Sequence, residues 1–594
     1  MINLFLTFIK YYGNKKKLLI LFFLCMSILA GSLEFLGIGT IYPFLIILIN
    51  PQTAVQNHVY QNLTLITHSQ NISFNIIIIA VLIASIFFVK NLLMIGISYW
   101  QTKFVINWKN EINDLIMNYY LNIPYIKIIK IPISDKIYNI STLSSQALDV
   151  FVLKFLILMT NSIILFLILS LLFIKFFLVA IFVLTFISLS MLYLNVFFKK
   201  QTSKIAPKLL EASIANNERI LENCSNLREV RIFSASDIFY SRFKETQAEL
   251  GKVSLKSVFM SNLPPYLVEI ILVFALILLA AVVAYQNKYD FSRIVASYGL
   301  ILVVLFRLAP VLNRIQTALN NINSTKTIMQ KMNELFEKND LYYKKSKIDA
   351  KNKIKEFKKI RLDKINFGYD ANKKVLKDIT FEIKAGEFIG IIGLSGAGKT
   401  TLADILMGLL PPDSGKIRMN DTEITSQNES ILSSLIGYVP QDMNLLNGSY
   451  KHNVAWGISD ELVDESMVIN CLKQAQIMDY IEKNGGINSR IDGLSYGQKQ
   501  RILIARALYN NSEIILLDEA TSSLDVETEH EIINMLMGIK GKKTIIAIAH
   551  RLITLKKCDR IIYLKEGEIV DIGRFEELSS TYKDFERLIN LSKF

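Results

Sequence analysis

Two stretches of this chain have the residue types and spacing to act on a phosphate anhydride. The apolar run FIGIIG (388–393) leads into GLSGAGKT (393–400), a full G-x-x-x-x-G-K-[ST] loop set between strand and helix patterns. In such a loop Gly393, Gly396 and Gly398 let the backbone curl so that its N–H groups face phosphate oxygens, and the helix start adds its positive dipole end. Lys399 supplies charge for the outer phosphates, and Thr400 offers a hydroxyl to Mg²⁺. Further on, IILLDE (514–519) reads as a buried strand ending in two acids. Asp518 suits the Mg²⁺ shell and Glu519 the polarisation of an attacking water. Two acids at a strand end commonly do no more than face solvent in a turn. Here they lie downstream of a phosphate loop, at strand ends where open α/β sheets place ligands. The chemistry implied is nucleoside triphosphate hydrolysis.

The elements that must carry these residues fall into two kinds. The chain has 594 residues, 52% of them hydrophobic, and a mean hydropathy of +0.35, too long for one domain and too apolar for an ordinary soluble protein. Apolar stretches long enough to cross a bilayer cover about 18–49, 76–100, 149–173, 176–197, 265–285 and 294–318. The expectation is an all-α polytopic membrane domain over 1–335 with six transmembrane helices, a polar, Lys-rich linker over 336–356, and an α/β P-loop domain over 357–594. The net charge of +14 fits nucleic acid, a membrane surface or an anionic substrate, and six spans set nucleic acid aside. Segment 50–75 has no Lys or Arg, whereas 198–262 has eleven, so the basic loops, both termini and the α/β domain are expected in the cytoplasm. Helical periodicity in those loops extends the membrane helices beyond the bilayer. Cys25, Cys224, Cys471 and Cys558 lie far apart with no CxxC pair, which indicates neither a zinc site nor a disulfide framework.

Between the phosphate loop and the paired acids stands LSYGQKQR (494–501). With it, residues 357–594 resemble the nucleotide-binding domain of an ABC transporter. The resemblance implies that Tyr369 of FGYD stacks on adenine, that Gln441 of YVPQD touches Mg²⁺ and the water, that SSLD (522–525) is the D-loop, and that His550 of IAIAHRL contacts the γ-phosphate. It extends the ATP-binding set to Ser395, Thr401, Ser495, Gly497, Gln498 and Asp525. In that family the signature of one domain, here Ser495 and Gly497, faces the ATP on the phosphate loop of another. One such domain per chain therefore implies a dimer with two composite sites: a homodimer, or a heterodimer with a similar chain. Two departures stand out. Tyr496 occupies the central glycine of the usual LSGGQ, and GGINSRIDG (485–493) is shorter than the family's Glu-Gly-rich stretch and carries Arg490.

Six helices followed by one such domain resemble the exporter half-transporters, implying alternating access driven by ATP. Position in the chain places the coupling elements around 122–130 and 226–236. Within the spans, Arg307 and Arg314 stand seven residues apart, two helical turns along one face, with Pro310 between them able to loosen the backbone. Lys90 is a third cation at membrane depth and Lys154 a fourth. Each costs roughly 2.5–3.5 kcal/mol on insertion scales and should face protein or a water-filled cavity. Two outcomes are open: a cationic cavity wall for an anionic cargo, or pairing of Arg307 with Glu34 or Glu269 and simple solvation of Arg314.

SLEFLGIGTIYPFL (32–45), PPYLVE (264–269) and LFRLAPVLNRI (305–315) resemble the membrane part of bacterial lipid-linked oligosaccharide flippases. That resemblance implies a glycan on a polyprenyl pyrophosphate as cargo, the bacterial inner membrane as location, and an outer helix near the lipid tail at 33–49. A lipid, peptide or drug exporter shares the same ATP chemistry. No Cys–His peptidase precedes the spans, which weighs against a processing exporter. An ATP-gated channel is more remote, given Glu519 and His550.

Overall fold

The structure is a computed structural model. It describes residues 2–12, 16–49, 72–175, 177–286, 291–338, 357–370, 373–420, 422–425, 430–519, 526–549, 551–585 and 587. Two compact units emerge, one of 1–122 and 131–343, the other of 123–130 and 344–594. Most of the expected linker, from 339 onward, lies outside the described residues.

The first unit is helical, as lipid demands: with no water to bond to, a spanning backbone must satisfy its own N–H and C=O groups. Long helices run through all six apolar stretches: α1 (Lys17–Ile49), α2 (Ile72–Asn122), α3 (Leu153–Lys175), α4 (Phe177–Ser225), α5 (Pro264–Gln286) and α6 (Phe291–Ser324). Among the described residues, five segments are long and apolar enough to cross a membrane. The 51 residues of α2 extend about 76 Å, far beyond a hydrocarbon core of roughly 30 Å. A short helix at Ile2–Tyr12 buries Phe8 against Trp108 of α2 and Phe336.

Two glycines explain how α1 packs. A Cβ at Gly31 would stand 2.5 Å from the Leu167 side chain on α3, and one at Gly37 would stand 3.0 Å from Phe87 on α2. These positions bring helices together rather than break them, as small residues do between membrane helices. Accordingly α1 is one helix of 33 residues, and the outer helix expected at 33–49 is its continuation, not a separate element. Pro310 likewise lies inside α6, which is helical on both sides of it.

The second unit holds two sheets. The strands β1 (Lys359–Phe367), β2 (Leu376–Lys384), β3 (Phe388–Gly393), β4 (Ser414–Met419), β5 (Thr422–Ile424), β6 (Ile436–Val439), β7 (Ile514–Asp518), β8 (Thr544–Ile548), β9 (Arg560–Lys565) and β10 (Glu568–Gly573) follow in chain order. An antiparallel sheet has the order β2-β1-β4-β5, and a larger one β10-β9-β3-β8-β7-β6. In the larger sheet β6, β7, β8, β3 and β9 pair in parallel. Its central strands FIGIIG, IILLD and TIIAI are buried throughout, which is why they read as unbroken apolar runs rather than alternating ones. The phosphate loop follows β3, and the paired acids end β7, two strands away.

Residues 123–130 belong to this second unit. Ile126 packs on the core that includes Phe367, Leu402 and Leu406, and the Lys130 ammonium donates to the Tyr369 carbonyl at 3.0 Å and lies 3.8 Å from the Asp370 carboxylate.

Candidate functional site

The phosphate loop owes its shape to its glycines. Gly393 cannot carry a side chain, because a Cβ there would stand 2.4 Å from the Leu564 carbonyl oxygen of the adjacent strand. Gly398 has φ +97°, a conformation L side chains rarely adopt, and it caps the helix Lys399–Leu406 that opens the anion-binding end. The Lys399 side chain turns back on its own loop, donating to the carbonyls of Gly393 (3.0 Å) and Leu394 (3.2 Å). Burial lowers its pKa, and the carboxylates of Glu519 and Asp518 work in the opposite direction. Ser395 and Thr400 are exposed on the loop, whereas Thr401 is buried and its hydroxyl meets the Tyr369 hydroxyl at 3.2 Å. Tyr369 stands edge-on to Phe367 with ring centroids 5.1 Å apart, which fixes it beside the phosphate-loop helix.

The acids occupy the end of β7. Asp518 is buried and accepts a hydrogen bond from the Tyr438 hydroxyl at 3.2 Å; burial raises its pKa, with Glu519 adding to the effect. Glu519 takes φ +47°, the left-handed region, while its N–H donates to Ile548 of β8 at 3.0 Å. That ladder bond holds a strained backbone which turns the carboxylate out of the sheet. The Gln441 amide donates to Glu519 Oε2 at 3.0 Å. The structure thus unites Lys399, Gln441, Asp518 and Glu519 from three separate motifs. Among the described residues no three His, Cys, Asp or Glu side chains converge as a metal cage. The set of one buried carboxylate, one hydroxyl and one amide oxygen fits Mg²⁺, which keeps water and phosphate oxygens and uses few protein ligands.

The signature opens the helix Tyr496–Tyr509 with a capping box: the Ser495 hydroxyl accepts from the Gln498 N–H, and the Gln498 side chain accepts from the Ser495 N–H. Tyr496 has no positive φ, so a side chain is tolerated at this position, and its hydroxyl donates to the Gln441 carbonyl at 3.1 Å. The stretch 485–493 is tied to the segment after Gln441: Arg490 donates to Asn447 at 3.1 and 2.6 Å, and the Ile491 N–H to Gly448 at 3.1 Å. Asp525 and His550 lie outside the described residues.

Asp404 was not singled out by sequence reasoning. Burial, followed by the nearby Asp518, pushes its carboxyl up to about 6. The available signal was an acid inside the otherwise apolar end of KTTLADIL, about one and a half turns along from Lys399.

Among the membrane helices, a cavity of about 710 Å³ is lined by Lys154 and Arg314 together with Gln101, Thr160, Asn161 and Asn313. Asn161 is 2% exposed; its amide N–H donates to the Ile157 carbonyl at 2.7 Å, and among the described residues neither its Oδ1 nor that of Asn313 has a partner. Lys90 and Arg307 do not line this cavity. Glu34, 3% exposed, binds Lys90 at 2.6 Å and Arg307 at 3.9 Å, and the Arg307 guanidinium lies 4.2 Å over the Phe87 ring. Of Lys90, Arg307 and Arg314, only Arg314 lines this cavity, with Lys154 beside it, and the other two pair with Glu34 rather than Glu269.

Residues 376–522 match the family model described as ABC transporter. The lactococcin-G-processing and transport ATP-binding protein LagD of Lactococcus lactis subsp. lactis is 31% identical over 66% of this chain and 56% of its own length. The beta-(1→2)glucan export ATP-binding/permease protein NdvA of Agrobacterium fabrum is 38% identical over 38% of this chain and 39% of its own. The chain thus spans about half the length, or less, of these curated relatives. A solved bacterial Atm1-family ABC exporter with ATP bound superposes with a TM-score of 0.77 at 20% identity, covering 97% of this chain and 98% of that one.

Proposed function

We propose that this chain, an ABC exporter half-transporter by fold with an ABC transporter ATP-binding domain, hydrolyses ATP to flip a polyprenyl-pyrophosphate-linked oligosaccharide across the bacterial inner membrane. Two copies act together by alternating access. The observation that carries the substrate reading is the membrane cavity, where Lys154 and Arg314 offer charge to a pyrophosphate and the unpaired Asn161 and Asn313 oxygens offer acceptors to sugar hydroxyls.

In the ATP site, Lys399 exchanges its loop carbonyls for the outer phosphates, and Tyr369 offers its ring to the adenine. Mg²⁺ held by Thr400, Asp518 and Gln441 would neutralise charge on the phosphate oxygens. Glu519 accepts a proton from the attacking water, which Gln441 helps to orient, and His550 contacts the γ-phosphate. Ser495, Gly497 and Gln498 close over the nucleotide of the second copy, with Asp525 at the seam. Residues 123–130 pass the change to the membrane helices through Ile126 and Lys130. The second coupling element, 226–236, exposes Leu227, Ile232 and Phe233, an apolar tip suited to docking. The α/β domain and both termini face the cytoplasm on this reading.

The test is reconstituted vesicles supplied with labelled polyprenyl-pyrophosphate glycan and ATP. Flipping should require ATP, disappear in Glu519→Gln, and fall at least tenfold in the double variant Lys154→Ala/Arg314→Ala. Undiminished flipping in the double variant removes the cavity from the mechanism, and no flipping of any such lipid by the wild type removes the cargo.

A further inference from the structure

The unusual residue of the signature makes a contact that glycine could not. Tyr496 stands at the first turn of its helix, one residue from the Ser495 cap, and its hydroxyl donates to the Gln441 carbonyl at 3.1 Å. From the same residue, the Gln441 side chain donates to Glu519 Oε2 at 3.0 Å. A path of two hydrogen bonds thus runs from the start of the signature helix to the carboxylate at the end of β7. Both anchors resist movement: the capping box fixes the helix start, and a bond from Glu519 to β8 fixes the acid. Gln441 is the exposed link between them, with no helix or strand of its own.

In the dimer proposed above, on which this inference rests, the signature of one copy belongs to the nucleotide of the second copy, whereas Gln441 and Glu519 serve the nucleotide on their own phosphate loop. We infer that Tyr496 is a positioning residue that couples the two composite sites: when the signature seats on one ATP, its hydroxyl holds the Gln441 backbone so that the Gln441 side chain aligns Glu519 for the other. The residue touches no reacting atom in this scheme. Its influence passes through one backbone carbonyl, and loss of a single such bond is small in energy but acts at the step where alignment matters. Both sites then turn over in concert, which gives a sigmoidal dependence on ATP.

The experiment compares the full-length wild type, Tyr496→Phe and Tyr496→Gly in lipid nanodiscs, measuring ATPase rate against ATP concentration. Phe keeps the ring and removes only the hydroxyl. Its kcat should fall about three- to tenfold with KM for ATP changed less than twofold, and its Hill coefficient should drop from near 2 towards 1. Tyr496→Gly should match it, because the missing bond is the same. Wild-type values of kcat and Hill coefficient in Tyr496→Phe would overturn the proposal. So would a rise in KM alone, which marks a role in holding nucleotide, or a wild type with a Hill coefficient of 1. These readouts need no cargo, so a wrong glycan assignment leaves them intact, whereas a strictly monomeric active wild type rejects the dimer itself.

Discussion

Replacing Glu34 by glutamine puts a number on what holds the membrane cations. Glu34 is 3% exposed and faces Lys90 at 2.6 Å and Arg307 at 3.9 Å. At an effective dielectric of 20 the two attractions are worth about 6 and about 4 kcal/mol before desolvation is set against them. The net loss on breaking a buried pair from one side is about 3–5 kcal/mol, because the partners remain buried and uncompensated. The substituted amide retains the shape and an acceptor oxygen, so the lower half of that range is expected. Lys90→Met should cost less, since Glu34 keeps Arg307, and the double variant should recover part of the loss. Reversible unfolding of the four proteins in mixed detergent micelles, followed by tryptophan fluorescence, gives the cycle. The expected order is wild type, Lys90→Met, double variant, Glu34→Gln, with a coupling of about 2 kcal/mol. A Glu34→Gln loss under about 1 kcal/mol together with strict additivity would refute the reasoning and return Arg307 to the list of cations free to meet a cargo.

The remaining expectations use the soluble unit. Glu519→Gln should lower ATPase at least a hundredfold while a fluorescent ATP analogue still binds with wild-type affinity; weakened binding would mean that Glu519 holds nucleotide rather than water. Lys130→Ala should leave basal ATPase within twofold and reduce its stimulation by cargo, as read in the same vesicles, because it removes the bond to the Tyr369 carbonyl and nothing at the phosphates. Asp404 titrates at about 6 in the folded chain against roughly 3.9 unfolded, so the folded state holds the extra proton between these values and stability falls as pH rises through that window. Asp404→Asn should therefore stabilise the nucleotide-free protein by about 1 kcal/mol at pH 7.5, after discounting for solvent screening, and by less at pH 5. Thermal melts at the two pH values decide it.

Much of the candidate site's assembly was legible because its motifs are local. A loop of eight residues or a strand ending in two acids carries its geometry in its own spacing, and the structure brings Lys399, Gln441, Asp518 and Glu519 together. The helical and α/β character of the two halves was equally plain, since unbroken apolar runs have few other solutions. What could not be read is what depends on how one helix is rotated against another. Lys90 and Arg307 meet Glu34 from different helices, and no periodicity in a single segment announces that. Gly31 and Gly37 stand in the sequence only as interruptions of an apolar run, and become contact points once α2 and α3 are beside them. The bond from Lys130 to Tyr369 joins residues 239 apart in the chain, and position alone placed its segment. Tyr496 shows a third case: the departure was visible, but its partner carbonyl belongs to a loop 55 residues away.

On the proposed role of Glu519, its left-handed backbone sets durability against turnover at a single residue. A glycine there would relax a torsion that costs a non-glycine residue on the order of 1–3 kcal/mol, yet would remove the carboxylate proposed above to take the proton from water. A laboratory selection for heat resistance, blind to activity, would drift towards that glycine and return well-behaved, inert proteins. Any such campaign on this chain therefore has to screen for hydrolysis at every round.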